Sequence, residues 1–280
     1  MEINIGEERI VELRAVYTRE QIMERALARR IDAFGQMAKL FQRPRAEDIE
    51  IGQVQNRYES FWVASGSAHY AYDWQHSYRL EVAPAVQSIT LNGQTYAVSR
   101  DKGNSSIQVM ATDHCVETLV ARVVLDSTRG EDAPDMARYL TFARRDVAQL
   151  AELEKDGAVV MAPEVKGSFV VRKLVSQLVK TFQADQIHEE SIDVVEVALY
   201  CRPIYAVEYK WTSKNKRQVL EFDALTGECR AEPGEIKTQV KRILEADALF
   251  DIGSDAAGTL IPGGGIAVKL GRIAAKKALR

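Results

Sequence analysis

The stretch "IDVVEVALYCRPIYAVEYKW", residues 192–211, has the strongest bearing on the fold of this chain. Its first half is rich in Val and Ile, with Asp193 and Glu196 between the apolar residues, and its second half adds aromatic residues. Segments rich in β-branched and aromatic residues are typical of β-strands. We expect two antiparallel strands here, joined by a turn near Cys201 and Arg202.

The residues on either side extend this unit. The preceding segment, "KGSFVVRKLVSQLVKTFQ" at 166–183, has apolar residues at helical spacing and predicts an amphipathic helix. The following segment, "VLEFDALTGECR" at 219–230, predicts a third strand that ends in a tight turn. Gly227 suits the positive φ that such a turn requires.

The first half of the chain has a similar order of elements. Residues 18–41, "TREQIMERALARRIDAFGQMAKLF", predict one long helix, and residues 49–82 predict strands of an antiparallel sheet. The pair Asn92-Gly93 predicts a hairpin turn. The two halves also match in residue type at four pairs of positions: Phe41 with Phe182, Ile49 with Ile192, Val54 with Val197, and Trp62 with Tyr205.

These patterns predict an α+β fold made of two tandem modules, each with one helix and an antiparallel sheet of three to four strands. We expect a first module, a connecting helix, a second module, and C-terminal helices with a Gly-rich hinge. The corresponding boundaries are 1–128, 129–160, 161–232 and 233–280.

The second module, residues 166–230, resembles a PepSY domain. In that family a strand runs into a Val-Asp-Ala-x-Thr-Gly-Glu ending, and this chain matches it with Phe222, Asp223, Ala224, Thr226, Gly227 and Glu228. The first module has no Thr-Gly at the equivalent "LEVAPAVQS". The resemblance implies a non-catalytic module that binds or restrains a protein partner, often a peptidase.

An alternative function is suggested by Asp193, Glu208 and Lys210. In the PD-(D/E)xK nucleases, two carboxylates hold a divalent cation and a lysine orients a water near the phosphate. A turn near Cys201 would place these three side chains on one side of a hairpin, as a possible Mg²⁺ or Mn²⁺ site. An ordinary ion pair between neighbouring strands explains the same residues more simply.

The C-terminal segment 266–280 predicts a basic amphipathic helix. Apolar residues lie near one face, and the cations that surround them are Lys269, Arg272, Lys276, Lys277 and Arg280. Such a helix can contact a protein partner or lie on an anionic membrane. A peripheral membrane protein is therefore a second alternative function.

Composition limits the remaining possibilities. With 46% hydrophobic residues, 28% charged residues and a net charge of -3, the chain has the composition of a soluble globular protein without a strong field toward nucleic acid. The three widely spaced cysteines and a beginning without an export signal predict free thiols in the cytoplasm. We expect a non-enzymatic binding or adaptor protein, without a cofactor, that engages a protein partner through its sheet surfaces and its basic C-terminal segment. The oligomeric state is left open.

Overall fold

The computed structural model describes residues 2–232 of the 280-residue chain. The predicted C-terminal unit 233–280 lies outside the described residues, and so do its five basic side chains, Lys269, Arg272, Lys276, Lys277 and Arg280.

The described residues form a mostly β structure with three α-helices. The strands are β1 (Glu2–Leu13), β2 (Ile49–Glu81), β3 (Ser88–Leu91), β4 (Gln94–Ala97), β5 (Ser99–Asp101), β6 (Asn104–Asp126), β7 (Arg144–Val147), β8 (Val159–Val160), β9 (Gln186–Trp211), β10 (Lys216–Asp223) and β11 (Cys229–Glu232). The helices are α1 (Arg19–Arg29), α2 (Gly35–Phe41) and α3 (Gly167–Leu178), with short 3₁₀ segments at Ala46–Asp48, Pro134–Thr141, Leu150–Gly157 and Thr212–Lys214.

Nine strands join in one mixed sheet that is built on β2 and β9. These two strands pair antiparallel from Ile49 opposite Trp211 to Asp73 opposite Gln186. On the far side of β2 lies β6, and on the far side of β9 lie β1, which is parallel to it, and β10, which is antiparallel. β3 and β4 form a separate hairpin. Very long strands, rather than many short ones, therefore set the dimensions of the molecule.

The prediction of two tandem helix-and-sheet modules is wrong. Strands from the predicted first and second modules pair with each other throughout the large sheet, and the structure is mostly β rather than α+β. The similar segments that start at Ile49 and Ile192 belong to neighbouring strands, β2 and β9. A strand inside a sheet has backbone N–H and C=O groups along both edges that need hydrogen-bond partners. Sequence similarity does not indicate which strands supply those partners.

The turn predicted near Cys201 and Arg202 is also wrong, because β9 runs through both residues without a break. There Cys201 lies between Ser60 of β2 and Glu12 of β1. Pro203, which resembled a turn residue, falls between the last residue that pairs with β1 and the first that pairs with β10. Its missing N–H therefore leaves no ladder hydrogen bond unmade.

Two predicted helices differ from those observed. Residues 18–41 form α1 and α2, and Gly35 at the start of α2 has a φ of 81°. The predicted connecting helix in 129–160 contains two 3₁₀ segments with strand β7 between them, because β7 pairs antiparallel with β1. Pairing with an open sheet edge outweighed the helical pattern of these residues.

Several local predictions are confirmed. α1 begins with a capping box of Thr18 and Gln21, and α3 covers most of the predicted helix at 166–183. Asn92 and Gly93, with φ of 47° and 83°, form the turn between β3 and β4. Gly227 has a φ of 71°, as the turn that follows β10 requires. These features depend on a few neighbouring residues, which is why the sequence predicts them.

One face of the sheet is covered over much of its length, although Tyr78 and Leu80 near the end of β2 are exposed on it. At one end α3 covers buried residues of β2, β6 and β9, and the Tyr70 hydroxyl donates to the carbonyl of Leu178, 2.8 Å away. At the other end a second cluster brings α1 against Tyr209 and Trp211. The opposite face is covered around Phe61 and Tyr200, where the segment that contains Tyr139 packs.

A β-bulge bends β9 where it meets Gly66 of β2. The register shifts between Ser65 and Gly66, and a Cβ at Gly66 would lie 2.5 Å from the Asp193 carbonyl oxygen. On the other side of β9, a Cβ at Gly6 would lie 2.6 Å from the Val195 carbonyl oxygen. Two glycines therefore allow both neighbouring strands to approach the bulge, which contains Val195.

Candidate functional site

The structure separates Asp193 from the other two predicted nuclease residues, Glu208 and Lys210. Asp193 and Glu208 lie on the same uninterrupted strand, fifteen residues apart, which corresponds to about 50 Å along an extended chain. Asp193 accepts a hydrogen bond from the Asn4 side chain at 2.8 Å. Glu208 has its own ion pairs, at 3.5 Å with both Lys210 and Arg217. The geometry on which the nuclease alternative depended is absent from β9.

Metal binding finds no support among residues 2–232. No three side chains of the types His, Cys, Asp and Glu are grouped there as a metal ion would require. Cys115, Cys201 and Cys229 are all free, and burial raises the pKa of the Cys201 thiol.

A buried ionic network crosses the middle of the sheet. Arg202, with 3% of its side chain exposed, donates to Glu59 at 2.7 Å and to Asp223 at 3.0 Å. It also donates to the Tyr139 hydroxyl at 2.6 Å, and that hydroxyl in turn donates to Asp223. Burial, together with the hydrogen bond to Asp223, raises the pKa of Tyr139.

The network continues along β2 and β10 and reaches one further strand, β11. Arg57 and Glu221 form an ion pair of 2.8 Å with less than a tenth of either side chain exposed. Arg230 contacts Glu221 at 3.2 Å and Glu59 at 2.9 Å, and so connects the two parts. The network therefore joins β2, β9, β10 and β11 through ion pairs, in which Arg57, Arg202, Glu221 and Asp223 are buried while Glu59 and Arg230 are partly exposed.

The candidate functional site is an area on the second face of the sheet that no other part of residues 2–232 covers, and we call it the open face. We define it by eight residues of β2, β6 and β9: Ser67, Ala71, His114, Val116, Thr118, Val120, Asp193 and Val195. Residues directly opposite each other in paired strands point to the same side. Ser67 lies opposite both Val120 and Asp193, and Ala71 lies opposite Val116, so these side chains share one face.

Three valines of the open face are largely exposed. The exposed fraction is 68% for Val116, 81% for Val120 and 64% for Val195. In β2, the residues that alternate with Ser67 and Ala71, such as Ala68 and Tyr70, point to the other face and are buried in the cluster that α3 covers. An apolar group of this kind with a polar rim is typical of an interaction surface.

The rim of the open face is acidic. Asp73 of β2 contacts His114 at 2.7 Å and His188 at 2.9 Å. Glu189 lies 3.7 Å from His69, and Asp193 lies among the valines. The hydrogen bond from His188 lowers the pKa of Asp73 the most, and the hydrogen bond from His114 lowers it further.

This arrangement predicts how Asp73 titrates. We expect its pKa to lie below the ordinary value of 3.8, because both imidazoles stabilise the carboxylate. The stabilisation that the ionised group provides is then complete above pH of about 4 and is lost as the pH falls through the lowered pKa. Carbon-13 NMR of the aspartate carboxyls measures this pKa directly. Replacing His188 with alanine should raise it, whereas an unchanged value would contradict the contact.

The outer edge of β6 borders the open face. β5 pairs with the beginning of β6 up to Ser106, and the Ala133 N–H donates to the Val124 carbonyl oxygen near its end. Between them, no strand of residues 2–232 pairs with the outer edge of β6 at 107–123. The sequence does not single out this edge, because alternation alone does not reveal which face or edge of a strand is covered.

Comparison with known proteins gives no relative: no protein-family profile, curated protein or solved structure matches the chain. The resemblance to a PepSY domain therefore stays a prediction. Within residues 2–232, no helix is both long enough and apolar enough to cross a membrane.

Proposed function

We propose that this chain is a non-enzymatic, cytoplasmic binding protein that engages a polypeptide partner through the open face. The observation that carries the proposal is the exposure of Val116, Val120 and Val195 on a face whose opposite side packs against α3. Exposed valines on a rigid sheet can bury apolar surface on binding without a change in the fold.

The charges around the valines favour a partner with basic side chains. Asp73, Glu189 and Asp193 supply carboxylates, whereas Arg122 is the one Lys or Arg of β6. A phosphate backbone or an anionic membrane would be repelled by these carboxylates. A polypeptide that combines Lys or Arg with aliphatic residues fits both the charge and the apolar surface.

The predicted basic helix at 266–280 has the composition of such a ligand. It lies outside the described residues, and we propose it as a second region that contacts the partner. The PepSY resemblance supports the same class of function, because it implies a module that binds or restrains a protein.

Peptide selection on the full-length chain tests this proposal. We expect a random displayed peptide library to yield sequences enriched in both Lys or Arg and aliphatic residues. The substitution Val195→Lys should weaken binding of the selected peptides by at least about tenfold, because it removes an apolar contact and adds a like charge.

The matched control is Val16→Lys, which changes a similarly exposed valine, at 57%, in the loop after β1. It should leave peptide affinity unchanged. Selected peptides without the basic and aliphatic bias, or equal affinity for Val195→Lys and the unsubstituted chain, would overturn the proposal.

A further inference from the structure

The edge of β6 that no strand within residues 2–232 pairs with is long and regular. Residues 107–123 correspond to about 55 Å of extended chain. Their pairing with β2 runs in one unbroken register from Ile107 opposite Leu80 to Val123 opposite Ala64. No bulge therefore twists this edge away from a neighbouring chain.

The sequence of this edge also lacks the usual protection against pairing. Proteins commonly protect exposed edges with Pro, Lys, bulges or short strands. The segment "IQVMATDHCVETLVARV" contains no Pro, Gly or Lys, and its charged side chains are Asp113, Glu117 and Arg122. An edge of this length without protection is suited to pairing with another strand.

We infer that this edge pairs antiparallel with the same edge of a second copy of the chain, which forms a two-fold symmetric dimer with one continuous sheet. A two-fold axis perpendicular to the sheet joins the same faces of the two copies. The numbers of two residues that lie opposite each other then sum to an even number. One residue of β6 therefore lies on the axis, opposite the same residue of the partner subunit.

Charge selects among the possible positions of the axis. An axis at Cys115 would place Asp113 opposite Glu117 of the partner subunit, and an axis at Glu117 would place two glutamates opposite each other. Like charges directly opposite each other destabilise a strand pair. An axis at His114 would set two imidazoles opposite each other.

An axis at Val116 avoids all of these contacts. It pairs residues 109–123 of the two copies and places Val116 opposite Val116 of the partner subunit, so that two exposed valines cover each other. His114 then lies opposite Thr118 of the partner subunit, and Asp113 opposite Leu119 of the partner subunit. The charged side chains therefore face neutral ones.

The expected interface is large enough for a specific dimer. Fifteen paired residues extend about 50 Å, and a sheet is about 10 Å thick, so that pairing covers about 500 Å² on each copy. The total of about 1,000 Å² is at the lower limit for specific interfaces, and a ladder of main-chain hydrogen bonds adds to it. In the dimer the two open faces lie side by side on one surface of the continuous sheet. Dimer formation does not depend on which partner the open faces bind.

The mass of the full-length chain in solution tests this inference. Sedimentation from micromolar to submillimolar concentration should give twice the 31.3 kDa of one chain. Val116→Lys, which sets two lysines opposite each other on the axis, should raise the dimer dissociation constant at least about tenfold. The control Val195→Lys lies on the same face but away from this edge, and it should remain dimeric.

Disulfide formation tests the register independently. In a Cys115→Ser background, Val116→Cys should cross-link two chains readily under mild oxidation, because Cα atoms opposite each other lie about 4.5–5.5 Å apart. Thr118→Cys should not, because its counterpart is displaced by four residues along the strand. A single-chain mass at every concentration, or cross-linking through position 118 as fast as through 116, would overturn the inference.

Discussion

Replacing Arg202 with methionine should lower the free energy of unfolding by about 3–5 kcal/mol. The substitution keeps much of the side-chain volume but removes the cation between Glu59 and Asp223, at 2.7 and 3.0 Å. Asp223 has only 6% of its side chain exposed. Without Arg202 its carboxylate would stay buried, and the Tyr139 hydroxyl would be the one side chain of the network still bound to it. Urea denaturation of both proteins measures the difference.

Two further variants make this prediction specific. Arg45→Met removes an exposed ion pair with Glu47, in which each side chain is about three quarters exposed, and should cost less than about 1 kcal/mol. Adding Asp223→Asn to Arg202→Met should recover part of the loss, because the unpaired charge is removed. A loss below about 1 kcal/mol for Arg202→Met would show that the network is not buried as described.

Replacing Trp62 with alanine should cost about 3–5 kcal/mol, the second large effect that we expect. Trp62 is fully buried in the cluster that joins α3 to the sheet, and its indole N–H donates to the Val165 carbonyl oxygen at 2.8 Å. The substitution leaves a cavity and removes the donor of that hydrogen bond. Thermal or urea unfolding gives the loss.

Trp74→Ala is the matched control for Trp62→Ala. Trp74 is only partly buried and stacks on His76, with ring centroids 4.5 Å apart, near the end of the ladder between β2 and β9. Its replacement should cost less than half as much as that of Trp62. Similar losses for the two tryptophans would contradict the position of α3 on the sheet.

Local features of the fold could be predicted from the sequence because each depends on a few adjacent residues. The capping box at Thr18, the Asn92-Gly93 turn and the positive φ at Gly227 are of this kind. The position of α3 also followed from its apolar spacing. In each case the chemistry of the chain itself restricts the backbone conformation.

The sheet order could not be predicted, because it depends on which distant strand satisfies each edge. Pro203 is the clearest example: it suggested a turn, but it lies in the gap between two partner strands of β9. The ionic network could not be predicted for the same reason, because its residues lie on strands that are distant in the sequence. Charged residues in a strand are ordinarily expected to be exposed, and only the packing shows that Arg57 and Arg202 are buried and that Glu59 is partly buried.

The open face was partly accessible to sequence reasoning. Alternation places Val116, Thr118 and Val120 on one side of β6, and the sequence already predicts binding through sheet surfaces. The sequence does not indicate that α3 covers the other side, and it does not place Val195 in a bulge beside the same surface. Both facts follow from the pairing of β9 with β2.

Amide hydrogen exchange of the full-length chain, with and without a selected peptide, tests the central claim most directly. We predict slower exchange on peptide binding in residues 112–122 of β6 and 189–195 of β9, and little change around Tyr139 or in α3. Protection confined to α3, to the segment around Tyr139 or to residues 266–280, with β6 and β9 unchanged, would contradict the assignment of the open face as the binding surface.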